Sequence, residues 1–280
     1  MTTVRDRLWA WGHVAGTHDH YVGRSIPATP LDGARHLGIP NLFMVVYGNR
    51  PAPEEFEAHQ TTFAPLRRVV WSIMGDSSST RNDARSDLDA VLALAGRHAN
   101  VAGGIMDDLF LAPGQAGDGD RVARWSAEEI RAARERLNGA VRRLDLYAVF
   151  YDQLLVPGNA RYRDLLRRHL ECCDKATFWT WRAENLSRLD ENFAQFEELT
   201  APGGVGRLLG CYMWDYGGNS QPMPLDLMEQ QCLTGLRWLK QGRIEGMIFL
   251  ATNICDAGLP AVEWTREWIA RVGGESLGRE

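Results

Sequence analysis

Asn41-Leu42-Phe43-Met44-Val45-Val46-Tyr47 is a short run of apolar and β-branched residues that puts apolar groups on both faces a strand would present. A half-exposed antiparallel strand alternates apolar with polar, whereas a parallel strand covered by helices does not need to. The run therefore predicts a buried parallel strand. Gly38-Ile39-Pro40 stands just before it, the punctuation expected where a helix gives way to a strand.

The same pattern recurs in both directions along the chain. Strands are predicted at Leu8–Val14, Asn41–Tyr47, Arg68–Met74, Val101–Asp107, Leu144–Tyr151, Ala176–Trp181, Arg207–Trp214 and Ile244–Thr252, each followed by a segment of helical period. Ser126 and Glu129 form a capping box, after which Ile130, Ala133, Leu137, Val141 and Leu144 recur at helical spacing. Met228, Cys232, Leu236 and Leu239 form the stripe before the last strand, Gly242 closes that helix, and Trp264 and Trp268 serve the final one. Eight strand–helix rounds with no break in composition predict a single α/β domain over residues 1–280, a (β/α)8 TIM barrel. The first turn, Gly12-His13-Val14-Ala15-Gly16, lacks the glycine spacing of a dinucleotide-binding sheet. The Gly- and Asp-rich stretch 113–121 is expected to be an exposed loop after the fourth strand.

Composition narrows the function classes. The 31 basic and 36 acidic residues are intermixed at a net charge of −5, which leaves no basic face for nucleic acid. No apolar stretch reaches the roughly 18 residues that span a bilayer, so no membrane partner is expected. The five cysteines, Cys172, Cys173, Cys211, Cys232 and Cys255, are odd in number and lack CxxC spacing. They read as buried thiols of a reducing, cytoplasmic compartment, although a chain trimmed of a secretion leader would read alike.

In such a barrel the working groups lie at the C-terminal ends of the strands. There the sequence places His13, Tyr47, Asp76, Asp107-Asp108, Tyr151-Asp152, Trp179, Trp181, Arg182, Trp214-Asp215-Tyr216 and Asn253. Asp107 and Asp108 end an otherwise buried strand, where a charge is costly without a partner or a task. Because neighbouring strand residues point to opposite sides, one of the two is expected to enter the mouth. The aromatic rings, with their polar edges, suit stacking against sugars. Carboxylates among aromatic platforms predict a carbohydrate cleft that takes a small-molecule or oligosaccharide substrate, with no cofactor and no metal.

On the motifs Gly-Ile-Met-Asp-Asp-Leu-Phe (104–110) and Tyr-Met-Trp-Asp-Tyr-Gly (212–217), the chain resembles the broad group of (β/α)8-barrel glycoside hydrolases. The resemblance is to the group as a whole. It implies an acid and a nucleophile drawn from the ends of strands four and seven, here Asp107 or Asp108 with Asp215, and Asp152 on strand five in reserve. Glycoside hydrolysis needs one carboxyl that holds a proton and one that does not. Tyr47, Tyr151, Trp179, Trp181, Trp214 and Tyr216 would then line the cleft, with His13, Asp76, Arg182 and Asn253 giving polar contacts.

Other chemistries fit less of the chain. A Schiff-base aldolase needs a lysine at the C-terminal end of a strand, whereas Lys240 falls in a helix and Lys175 at the wrong end of strand six. His18-Asp19-His20 resembles the paired histidines of amidohydrolase barrels, but strands five and six supply no histidine to complete the set. Asp107-Asp108-Leu109-Phe110 lacks the downstream acidic metal motif of a terpene cyclase. Asp76, Asp152, Glu184 and Asp215 leave open a metal-dependent sugar isomerase or epimerase. A barrel that binds a glycan or a protein partner without turnover would use the same aromatic cleft.

Overall fold

A computed structural model of the chain describes residues 1–82, 85–112 and 121–278. Eight strands alternate with eight main helices: β1 Leu8–Gly12, α1 Pro30–Leu37, β2 Asn41–Met44, α2 Phe56–Thr62, β3 Arg68–Met74, α3 Ser86–Arg97, β4 Val101–Met106, α4 Ala127–Asn138, β5 Asp145–Tyr151, α5 Ala160–Leu170, β6 Lys175–Trp179, α6 Leu189–Thr200, β7 Gly206–Tyr212, α7 Leu225–Lys240, β8 Gly246–Leu250 and α8 Pro260–Val272. Every strand pairs in parallel with its sequence neighbour, and β8 pairs with β1 through Leu8↔Met247 to Trp11↔Leu250. The expected (β/α)8 barrel is the fold.

Strand positions match the expected ones, but most strands stop short of their expected C-terminal ends. β2 leaves the ladder after Met44, yet Val45 and Val46 stay fully buried. Apolar sequence continues past the last ladder bond because the loops above the barrel cover it, so hydrophobicity overestimates strand length at the mouth. β1, β6, β7 and β8 also stop short of their expected ends, and β4 stops one residue short, at Met106. The expected loop at 113–121 lies almost wholly outside the described residues.

Aromatic rings fill the barrel. Trp9 meets Phe43 at 4.8 Å between centroids, Phe43 meets Tyr147 at 5.2 Å, Trp11 meets Trp179 at 5.2 Å, and Trp179 meets Tyr212 at 4.9 Å. Room for them comes from small residues on facing strands. A Cβ on Gly210 would lie 2.1 Å from the Trp179 ring, so any side chain there would displace the indole. The N-terminal end of the barrel is closed by paired charges: Lys175 Nζ lies 2.9 Å from Glu245 and 3.3 Å from Asp145, and the Arg68 guanidinium sits 4.4 Å over the Trp9 ring. Polar groups at this end are satisfied by one another.

The outer helices follow the expected signals. Ser126 Oγ accepts from the Glu129 amide and Glu129 Oε2 accepts from the Ser126 amide, completing the capping box of α4. Ile130, Ala133 and Leu137 face the core, but α4 ends at Asn138 and Val141, expected on the same stripe, is 73% exposed. Gly38 ends α1 in the left-handed conformation, φ 67°, which glycine adopts without strain. All five cysteines are free and buried. No helix among the described residues is long and apolar enough to cross a membrane.

Candidate active site

A cavity of about 420 Å³ opens at the C-terminal ends of the strands. Trp11, Trp179 and Tyr212, the uppermost rings of the barrel core, also line it, so the core's aromatic stack becomes the floor of the site. Nine of the residues expected at the mouth line this cavity: His13, Tyr47, Asp76, Asp107, Asp108, Tyr151, Trp179, Trp181 and Tyr216.

The end of β4 supplies the acidic wall. Asp107 extends the ladder by one bond, its amide donating to Met74 O at 3.0 Å. Asp108 then turns into the left-handed region with φ 43°. That turn breaks the strand's alternation, so both carboxylates reach the cavity where only one was expected. Tyr151, at the end of β5, donates its hydroxyl to Asp108 Oδ1 at 2.9 Å and stands 3.5 Å from Asp107 Oδ1. Asp108 Oδ2 accepts the Ser77 amide at 2.7 Å, and Asp107 Oδ1 accepts the Asp108 amide at 2.9 Å. Asp107 Oδ2 takes no hydrogen bond from a described residue.

Burial, reinforced by the neighbouring charges of Asp108 and Asp76, holds the Asp107 carboxyl well above the usual carboxylate range. With Oδ1 occupied by an N–H donor, the proton belongs on Oδ2. Burial and the same two carboxylates of the pair also push the Tyr151 phenol well up, so it remains a donor. Arg124 anchors the wall from outside β4, its Nε donating to Asp108 O at 3.1 Å. Asp76 lines the cavity but spends its oxygens on the Gly48 amide at 2.9 Å and on the amide and hydroxyl of Ser78 at 3.1 and 2.5 Å.

The facing wall is built of rings from the segments after β1, β2 and β7. His13 accepts from Trp11 Nε1 at 3.0 Å and lies 3.3 Å from Val45 O, which sets Nε2 as acceptor and Nδ1 as donor. Burial pushes its imidazolium down to about 4. His18 stacks on it at 5.0 Å, and Tyr21, Tyr47 and Tyr216 surround His18 at 5.4, 5.3 and 5.5 Å.

Five expected site residues lie off the cavity. Asp152 starts a short 3-10 turn and accepts the Trp181 amide at 2.9 Å and Asn185 Nδ2 at 2.8 Å. Asp215 accepts the Ala183 amide at 3.1 Å and the Asn219 amide at 3.2 Å. The cause is a small antiparallel ribbon: Trp214–Asp215 pairs with Gln221–Pro222, and the intervening loop wraps the carboxylate. Trp214 is buried in that ribbon, Arg182 is exposed beside Glu184 at 3.5 Å, and Asn253 lies beneath His18, donating to its Nδ1 at 2.7 Å. Asp76, Asp152, Glu184 and Asp215 do not converge, and no three His, Cys, Asp or Glu side chains among the described residues form a metal-like cluster.

Sequence reasoning did not place Trp11, Tyr21, Arg124, Gln153 and Tyr212 at the site and weighed His18 only as half of a metal-binding pair, yet all six line the cavity. Two carried a usable signal. Trp11 and Tyr212 lie on the inward face of their strands, Trp11 at a spacing of two from Trp9 and His13. His18, Tyr21 and Arg124 come from loops and were not marked by any period.

No protein-family model matches the chain, and no curated protein matches it in sequence. Solved structures do. A provisionally assigned alpha-L-fucosidase from Bacteroides thetaiotaomicron is similar at TM-score 0.60 and 10% identity, over 96% of this chain and 98% of that one. An endo-1,4-beta-xylanase from Caldicellulosiruptor owensensis is similar at TM-score 0.52 and 13% identity, over 90% and 88%. The spore cortex-lytic enzyme of Bacillus cereus is similar at TM-score 0.54 and 9% identity, over 96% and 74%. The likeness is one of fold.

Proposed function

We propose that this barrel hydrolyses glycosidic bonds, with Asp107 as proton donor and Asp108 as the carboxylate that faces the anomeric carbon. The observation that carries this is the β4 cluster: a buried carboxyl whose proton affinity is raised by burial and by its acidic neighbours, a second carboxylate beside it, and a phenol bonded between them, all lining an aromatic cavity. The names of the fold neighbours, a xylanase and a cortex-lytic enzyme among them, support the same class.

The chemistry follows from the two positions. Asp107 Oδ2 gives its proton to the glycosidic oxygen, and the bonding pair leaves with the departing sugar. Asp108, fixed by the Ser77 amide and the Tyr151 hydroxyl, opposes the positive charge that develops at the anomeric carbon. Water then adds to that carbon and returns a proton to Asp107. Trp179, Trp181, Tyr151, Tyr47 and Tyr216 would carry the sugar faces of an oligosaccharide, with His13 and Asp76 behind them. Five free, buried thiols support a reducing, cytoplasmic setting.

A screen of the purified protein against a glycan library tests the proposal. Release of reducing ends by the wild type, lost in Asp107→Asn and Asp108→Asn proteins that still melt cooperatively, is the expected result. Equal turnover in all three would overturn it. Glycan binding without turnover in any of them would make this a binding barrel instead.

A further inference from the structure

Among the described residues one arginine and no lysine line the cavity, and that arginine pairs with no carboxylate. A narrow antiparallel bridge beyond β4 positions it: Phe110 pairs with Ala123, the Leu111 amide donates to Val122 O at 2.9 Å, and the Arg124 amide donates to Leu109 O at 2.8 Å. The bridge returns Arg124 to the turn at Asp108, where its Nε donates to Asp108 O at 3.1 Å. That bond spends one edge of the guanidinium. Neither Nη has a hydrogen-bond or ion-pair partner among the described residues. Arg81, on the loop after β3 at the same end of the barrel, shows the contrast. Its Nε lies 2.9 and 3.1 Å from the two Asp87 oxygens, and its Nη groups donate to Asn49 O and Pro51 O, both at 2.5 Å.

The surroundings of Arg124 define what it can take. The two anions nearest in the cavity are answered by other donors: Asp108 by the Ser77 amide and the Tyr151 hydroxyl, Asp76 by the Gly48 amide and by Ser78. Ser77 and Gln153, exposed on the loops after β3 and β5, flank the β4 end, and neither side chain has a hydrogen-bond partner among the described residues. They add neutral polar groups beside the cation. A bound sugar strips water from this half-buried guanidinium, and a charge desolvated without an anion is costly. A neutral glycan would impose that cost. With Nε spent, the free edge is the Nη1–Nη2 end, whose parallel N–H donors match the two oxygens of a planar carboxylate. A sugar hydroxyl would occupy one donor and leave the charge unanswered.

We infer that Arg124 forms a subsite for the carboxylate of a uronic acid, so that the glycan this cavity takes is an acidic one. The inference rests on the cavity's being a sugar site and names the sugar class it takes.

Free monosaccharides have no glycosidic bond to cleave, so their binding to the wild-type protein, by calorimetry or saturation-transfer NMR, is read without turnover. The probes are glucuronate and galacturonate, each against its neutral parent, glucose or galactose, and against its own methyl ester, with glucose 6-sulfate as a second anion. At low salt at least one uronate is expected to bind about tenfold tighter than its parent and its ester, and Arg124→Gln should bring both ratios to within about twofold of one. Arg124→Lys, which keeps the charge and loses the fork, should retain part of the preference. An arginine that only braced the Asp108 turn would weaken charged and neutral sugars alike and leave the ratios unchanged. Should Arg124→Gln fail to melt cooperatively, the wild-type comparison of uronate with ester and the Arg124→Lys ratios decide the matter. Absence of binding by either uronate, equal binding of uronate, ester and parent, ratios untouched by substitution of Arg124, or tighter binding of glucose 6-sulfate than of either uronate would each overturn the subsite. The two proposals fail separately. Uronate preference in a protein whose wild type cleaves no glycan would overturn the hydrolase and leave the subsite. Cleavage of neutral glycans without such a preference would do the reverse.

Discussion

The ends of β4 and β7 look alike in sequence and behave differently in space. Each closes an apolar run with aspartate, Gly-Ile-Met-Asp-Asp in one and Tyr-Met-Trp-Asp-Tyr in the other. After β4 a left-handed residue turns two carboxylates into the cavity, where one of them keeps an oxygen free. After β7 the chain folds into a ribbon in which the Asn219 amide and, from the segment after β6, the Ala183 amide take the Asp215 oxygens, and the residue that reaches the cavity is Tyr216. A carboxylate at a strand end is therefore a candidate for chemistry only if the backbone around it turns it into the cavity. Asp107 and Asp108 line it, Asp107 with one oxygen unbonded by any described residue, and Asp215 does not.

The largest expected effect separates the two ends directly. Asp107→Asn removes the proposed general acid and should lower kcat by about 10²- to 10⁴-fold, and Asp108→Asn should fall in the same range. Steady-state kinetics on any glycan the wild type cleaves would check this. Asp215→Asn should by contrast act on stability. Losing an acceptor for two amides is expected to lower unfolding free energy by about 1–3 kcal/mol in urea titrations while the folded protein keeps most of its turnover. A thousandfold loss of kcat in an Asp215→Asn protein of unchanged stability would break the comparison.

A pH titration sharpens it. The folded-state proton affinity of Asp107 is raised, so between the ordinary carboxylate value near 4 and the folded value the native state holds a proton that the unfolded chain has released. Stability must then fall as pH rises through that window, by about 1.4 kcal/mol for each unit the value is raised. Asp107→Asn lacks this dependence, so its melting temperature should gain on the wild type between pH 4 and pH 7. A constant gap would mean that Asp107 ionises like a surface carboxylate. The smallest effect is expected from Tyr151→Phe, which deletes the shared hydroxyl but neither carboxyl. About a tenfold loss in kcat, with the acid limb of the pH–rate profile displaced, is the outcome consistent with a positioning role.

Much of the fold was legible, because strand burial on both faces and helical period are local properties that composition records. The ends of strands were less so: Val45 and Val46 remain buried after the ladder stops, and hydrophobicity does not distinguish a ladder bond from a covering loop. At the site, the Asp107-Asp108 pair and most of the aromatic walls could be named from position alone. That both aspartates face the cavity could not, since it depends on one positive φ at a residue that is not glycine. His18, Tyr21 and Arg124 had no period to reveal them.

The sequence by itself determined eight buried strand–helix rounds and the open end at which carboxylates and rings collect. Only the tertiary structure decided which of those carboxylates face the cavity, which have their oxygens taken by amides of other segments, and how the His13 ring is held. The physical reason is range. Burial and periodicity are set by residues three or four positions apart, whereas the occupancy of a lone pair is set by whatever amide or hydroxyl another segment brings to it, as Ser77 does for Asp108 and Ala183 does for Asp215.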